Sequence, residues 1–397
     1  MTGIVRVLTR GSTLLKAPAF LAFVQGPQRM LALALAAVAL ALAAPAGAQA
    51  AAGMEIALQD DAVLVTDEYY GRERGLDKAR QMGVTHIRVN VLWAAVVGSS
   101  ANRRSRPSRV TYDFTAYDQL VTSARARGLE VQMALTGPAP AWATGNKRRG
   151  PYKPKYRYFE DFAEATVSHF HSLVNRYSIW NEPNHVGWLA PLRSAPGLYS
   201  QLYKAGYAAV KRHNPNAQVL FGETAPYASR RGSATPPLQF LRGVLRANRS
   251  YGGSSRYALT ADGFAHHPYD FGHEPTYRFP GSDNVTLATL SRLTGALSKL
   301  RRSGLLRTPS GGQPPVYLTE YGFMQSGRYG IRDATRASYL KQAFDMARRN
   351  KHVRQMLQFL LVQPTKSYRF FDTAILGRKG KETRAFRTLR SWVARYR

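Results

Sequence analysis

Two glutamates stand where short apolar runs end. One closes Ile179-Trp180-Asn181-Glu182-Pro183-Asn184; the other closes Tyr317-Leu318-Thr319-Glu320-Tyr321-Gly322-Phe323. They are 138 residues apart in the chain. Two carboxyl groups facing each other across a cleft suit glycoside hydrolysis. One must be protonated to donate to the leaving oxygen, and the other ionised to attack the anomeric carbon. A separation of about 5–5.5 Å would give retention through a covalent glycosyl-enzyme.

Other residues could serve the same cleft. Glu223 ends the run Ala217–Phe221 and is expected to hydrogen-bond substrate or a neighbouring side chain. Arg88 lies inside the apolar run Thr85–Trp93, where a guanidinium needs a carboxylate partner. His266, His267, Asp270 and His273 form a cluster that could be read as a metal site. Their spacing matches no helical His-x-x-x-His pair, so substrate lining is expected, with no metal and no cofactor.

The elements that must position these residues alternate regularly. Eight short runs begin at Met54, Thr85, Leu129, Val174, Ala217, Gly263, Pro315 and Met356. Between and after them lie segments of helical period, such as Tyr158–Asn175 with Phe159, Phe162, Ala163, Val167 and Phe170 at three- and four-residue steps. Eight βα units predict a parallel sheet covered by helices, closed as a (β/α)8 TIM barrel. A doubly wound open sheet is the competing fold, but no Gly-rich turn follows the first strand. In a barrel, chemistry gathers at the C-terminal strand ends, which is where Glu182 and Glu320 fall.

Composition narrows the class further. The 397 residues are 44% hydrophobic, which excludes a disordered chain. Cysteine is absent, so disulfides, thiolate metal sites and cysteine nucleophiles are excluded. Residues 1–50 carry four cations and no acid, then the apolar run Leu31–Ala44, Pro45 and the small-residue pattern Ala48-Gln49-Ala50. This reads as a secretory signal with an N-terminal extension, and Met30 is a second candidate start. The run is shorter than the roughly 20 residues that span a bilayer, and no later segment is apolar enough to cross one. Residues 51–397 are then read as one catalytic barrel domain, secreted or wall-associated.

The motifs resemble the clan A glycoside hydrolases, nearest the cellulase-like family 5 and the β-xylosidase-like family 39. The resemblance implies a (β/α)8 barrel with Glu182 as acid/base on strand four and Glu320 as nucleophile on strand seven. It implies that Asn181 hydrogen-bonds the sugar 2-hydroxyl and that Arg88 holds the nucleophile ionised. His267-Pro268-Tyr269 matches the clan's His-x-Tyr, whose tyrosine contacts the nucleophile. The chain departs from the pattern in two places. Strand three ends in Ala134-Leu135-Thr136-Gly137 without a histidine, and strand eight offers Gln358, Phe359 and Gln363 where a tryptophan is usual. Trp142, Trp93 or Phe359 is expected to supply the missing sugar platform.

The net charge is +32. Two loops concentrate cations: Arg103, Arg104, Arg106 and Arg109 after strand two, and Lys147, Arg148, Arg149, Lys153, Lys155 and Arg157 after strand three. Tyr152, Tyr156 and Tyr158 are interleaved with the second group. Such a rim suits an acidic glycan or an anionic cell wall. The charge is also spread over later helices, which suits general solubility instead. No nucleic-acid fold signature accompanies the cations, so no nucleic-acid partner is expected. The expected function is a retaining glycosidase acting on a poly- or oligosaccharide. The alternative is a non-catalytic glycan- or polyanion-binding protein on the same scaffold.

Overall fold

The computed structural model describes residues 53–228, 232–365 and 371–396. The expected signal segment lies outside them. Eight parallel strands close into a barrel: β1 (Glu55–Gln59), β2 (His86–Leu92), β3 (Glu130–Thr136), β4 (Arg176–Ile179), β5 (Gln218–Thr224), β6 (Gly263–His266), β7 (Val316–Leu318) and β8 (Val353–Phe359). Each strand pairs with its sequence neighbours, and β8 returns to pair with β1 from Glu55↔Gln355 to Gln59↔Phe359. The closed order excludes the open doubly wound sheet.

A helix follows every strand: α1 (Arg72–Met82), α2 (Thr115–Arg125), α3 (Tyr156–Phe170), α4 (Ala195–His213), α5 (Pro237–Leu245), α6 (Leu290–Arg302), α7 (Asp333–Arg349) and α8 (Arg384–Tyr396). Each presents one apolar stripe to the sheet. In α3 that stripe is Phe159, Phe162, Ala163, Val167 and Phe170, all buried, matching the periodicity in the sequence. Strand β2 sends Ile87, Val89 and Val91 outward under the helices, all fully buried. Its alternate residues Arg88 and Asn90 therefore face the barrel interior.

That interior is polar at its N-terminal end. Arg176 on β4 makes a bidentate pair with Glu55 on β1, at 2.6 and 2.9 Å, and its guanidinium lies 4.7 Å from the Tyr317 ring centroid. Gln132 and Gln355 exchange hydrogen bonds of 3.0 and 2.8 Å beside it. The paired layer plugs the floor of the barrel and leaves the opposite end for the site.

Strand boundaries differ in one instructive place. The apolar run predicts β8 over Met356–Leu361, yet the strand ends at Phe359 because Leu360 takes a left-handed backbone with φ of 61°. Among the described residues no helix is long and apolar enough to cross a membrane.

Candidate active site

The site is built at the C-terminal ends of β1, β4, β5, β6 and β7, with Arg88 reaching it from within β2. At the tip of β4 the chain turns through two left-handed residues, Trp180 (φ 68°) and Glu182 (φ 37°). The turn is secured by Trp180 N–H on the Leu135 carbonyl at 2.8 Å and Glu182 N–H on the Glu223 carbonyl at 2.9 Å. Asn184 ties it to the next loops, accepting from Ala225 N–H at 2.8 Å and donating to the Thr235 carbonyl at 2.8 Å. Asn184 thus shapes the loop rather than lining the cleft.

Strand β5 reaches the site through a bulge. Its register against β6 slips between Gly222 and Thr224. Gly222 has φ of 115°, and a Cβ there would lie 2.6 Å from the Ala265 carbonyl oxygen. The slip turns Glu223 (φ 48°) into the barrel, where it is fully buried.

Glu223 is the hub of the polar cluster. It accepts from Thr319 Oγ1 at 2.6 Å and from His267 Nε2 at 2.7 Å, and it pairs with Arg88 Nη2 at 3.1 Å. It is 0% exposed and enclosed by these neighbouring side chains. Arg88 also pairs with Glu320 Oε1 at 3.0 Å and donates to Asn181 Oδ1 at 2.8 Å. Tyr269 OH donates to Glu320 Oε2 at 3.3 Å.

His267 ties the two candidate catalytic glutamates together. Its Nδ1 lies 3.1 Å from Glu182 Oε1 and 3.7 Å from Glu320 Oε2. Those two oxygens are therefore no farther apart than these two distances combined, well inside a nanometre. Glu182 and Glu320 keep some side-chain exposure, 19% and 10%, while Arg88, Glu223 and His267 have at most 1%. The two carboxyl groups are thus the members of the cluster open to the mouth.

The electrostatics follow from burial against charge. Burial pulls the His267 imidazole down, but the Glu320 charge and the hydrogen bonds to Glu182 and Glu223 push it up to about 10. Burial pushes Glu223 up, and Arg88 and His267 outweigh it to hold the carboxyl at about 2. Burial pushes Glu320 above the usual carboxylate range; His267 and Arg88 pull it back, while Glu182 and Glu223 add to the rise.

The histidine run does not converge on a common point. His266 bonds Thr224 Oγ1 at 2.8 Å and the Val285 carbonyl at 3.0 Å, and burial holds it down at about 3, so it is neutral. His273 pairs with Asp270 at 3.0 Å, away from His267. Among the described residues no group of three metal-ligating side chains could hold an ion.

The expected platform needs correction. Trp142 is 1% exposed and Trp93 0%; they pack edge to face at 5.8 Å beneath α3. Neither ring face is open to a sugar. Phe359 is half-buried and meets Phe371 at 5.7 Å, and Phe371 lies 5.4 Å from the Tyr269 ring. The aromatic surface beside Glu320 thus comes from the β6 and β8 loops. Arg106, in the first basic loop, pairs with Asp161 and covers the Tyr158 ring at 4.7 Å.

Three residues were missed in the sequence. Gln59, at the tip of β1, accepts from Arg88 Nη1. Asp61 accepts from Gln59 at 2.9 Å, and burial pushes its carboxyl up to about 6. Thr319 bonds Glu223. The available signal was polarity at the end of an apolar run, which the run Met54–Leu58 followed by Gln59-Asp60-Asp61 does carry.

The sequence matches the family described as Cellulase (glycosyl hydrolase family 5) over residues 49–356. No curated protein matches it. Solved structures with the same fold include a family 39 glycoside hydrolase from Bacteroides cellulosilyticus WH2, with TM-score 0.63 and 17% identity, covering 87% of this chain and 64% of that one. A monomeric β-xylosidase from Caulobacter crescentus CB15 gives 0.57 and 18%, covering 87% and 68%. Xylanase 10B from Thermotoga maritima gives 0.55 and 15%, covering 87% and 96%. The chain thus spans about two thirds of the first two enzymes and nearly all of the third. A family match over most of the chain, on a closed eight-strand barrel, places this protein in glycosyl hydrolase family 5, within clan A.

Proposed function

We propose that the protein is an exported retaining glycosidase using Glu182 and Glu320. The observation that carries this is the convergence of both carboxyl groups on one nitrogen, His267 Nδ1, from strands on opposite sides of the barrel mouth. Three carboxylates face two cations here, so one proton is shared by the exposed pair. Arg88 pairs with Glu320 directly, which opposes the rise that burial gives this carboxyl and favours its ionised form.

Glu320 attacks the anomeric carbon while Glu182 gives its proton to the departing glycosidic oxygen. The carbon–oxygen bond breaks as the ester to Glu320 forms. Glu182, now a carboxylate, takes a proton from water, whose oxygen attacks the same carbon and releases Glu320. Tyr269 donates to the resting Glu320 carboxylate. Arg88 occupies the carbonyl end of Asn181, which directs the amide N–H end toward a sugar hydroxyl. Residues 1–50 serve as the export signal.

The substrate we propose is an acidic glycan. Arg103, Arg104, Lys147, Arg148, Arg149 and Lys153 are all exposed. The two loops meet where Lys147 Nζ donates to the Arg104 carbonyl at 3.4 Å. The second loop joins the one that follows Glu182, through Lys153 N–H on the Ala190 carbonyl at 2.8 Å.

The test is proton NMR of an aryl glycoside during hydrolysis. The sugar released first is expected to keep the configuration of the bond cut. Release of the opposite anomer would overturn the double displacement. Binding without hydrolysis across neutral and uronic-acid glycosides would favour the non-catalytic alternative.

A further inference from the structure

We propose that Glu223 is a positioning residue that, through His267 and Arg88, keeps one proton on the Glu182–Glu320 pair. The inference rests on the reading of those two glutamates as acid/base and nucleophile. Glu223 grips both. Its carbonyl holds Glu182 N–H at 2.9 Å, and its carboxylate holds His267, whose other nitrogen faces Glu182. The same carboxylate holds Thr319, the residue before Glu320, and Arg88, which pairs with Glu320.

The charge balance turns this grip into a proton count. The groups facing the cluster are Asp61 after β1, Arg88 on β2, Glu182 after β4, Glu223 on β5, His267 and Tyr269 after β6, and Glu320 after β7. His266 is neutral, with both nitrogens bonded elsewhere, and Tyr269 is a buried phenol that stays protonated. Imidazolium and guanidinium supply two positive charges. Three ionised glutamates would exceed them by one, so a proton on the exposed pair restores neutrality. Asp61, when ionised, acts in the same direction. Without the Glu223 charge the excess of negative charge falls by one, and the pair holds its proton for the leaving group less tightly. Glu223 itself cannot exchange with solvent or substrate, because it is fully enclosed.

The experiment uses the full-length protein and compares Glu223→Gln with wild type. Substrates are an aryl glycoside with a nitrophenolate leaving group, which needs little protonation, and an alkyl glycoside of the same sugar, which needs it fully. The variant is expected to lose at least about tenfold more kcat on the alkyl than on the aryl glycoside. The alkaline limb of its kcat/KM profile on the alkyl glycoside is expected to move about one pH unit or more downward. Equal losses on both substrates with an unmoved limb would overturn the proposal and leave Glu223 a packing residue. His267→Gln removes a cation and should move the limb upward; a downward or absent shift there overturns it even if Glu223→Gln does not fold. Wild-type protein that hydrolyses neither glycoside would instead sink the underlying glycosidase reading.

Discussion

His267 Nε2 lies 2.7 Å from Glu223 Oε2, with neither side chain exposed. Linkage gives this pair a pH signature. His267 is raised from 6.5 to about 10, so its contribution to stability is complete below pH 6.5 and fades as pH climbs through 10. Glu223 is lowered from 4.5 to about 2, so its contribution is complete above pH 4.5 and is lost as pH falls through 2. The melting temperature of the wild type is expected to be highest between these limits and to decline on both sides. A melting temperature that does not decline between pH 7 and pH 10 would contradict the charged imidazole.

Glu320→Gln removes the attacking carboxylate while keeping its shape. Turnover is expected to fall by about four orders of magnitude or more, because the remaining groups cannot form the ester. Oligosaccharide affinity, read by calorimetry, should stay within a few-fold of wild type. Retained turnover would remove Glu320 from the nucleophile role.

Arg88→Met leaves two buried carboxylates, Glu223 and Glu320, without their shared cation. Breaking a buried pair in this way costs about 3–5 kcal/mol, read by urea denaturation. Losing the cation also raises the carboxyl that must be ionised for attack. The acidic limb of the kcat/KM profile should therefore move to higher pH, and a limb that moves down would contradict the pairing.

Gly222→Ala tests the bulge that delivers Glu223. Its φ of 115° and the 2.6 Å approach of a Cβ to the Ala265 carbonyl leave no room for a side chain. The substitution is expected to cost about 1–3 kcal/mol of stability. Activity should fall further than that of a surface variant with the same melting temperature, because Glu223 moves with the backbone.

The basic rim makes a salt-dependent prediction. Arg148→Ala with Arg149→Ala should raise KM several-fold on a uronic-acid oligosaccharide and leave KM on a neutral one unchanged. The wild-type preference should shrink as sodium chloride rises from 0.05 to 0.5 M, by screening of about a Debye length. Equal effects on both substrates would assign the cations to solubility.

Much of the barrel was legible because its grammar is local. Apolar runs of strand length alternating with helical stripes need only neighbouring residues to be recognised, and the eight runs in sequence correspond to β1 through β8. Polarity at the end of such a run also pointed to Glu182, Glu223 and Glu320. Burial was less legible. Trp142 looks the same in sequence whether its ring faces a sugar or Trp93, and only packing under α3 separates the two. The left-handed φ angles at Glu182 and Glu223, on non-glycine residues, carry no sequence signal either.

The amino-acid order alone decided that eight parallel strands would form and that acids would tip several of them, because hydrophobic period and strand length act over a few residues. Closure of the ring decided the rest. Gln59, Arg88, Glu182, Glu223, His267 and Glu320 come from strands up to 261 residues apart in the chain and meet only when β8 pairs with β1. The charge each one carries depends on solvent exclusion and on that meeting, so it belongs to the assembled site and to no single segment.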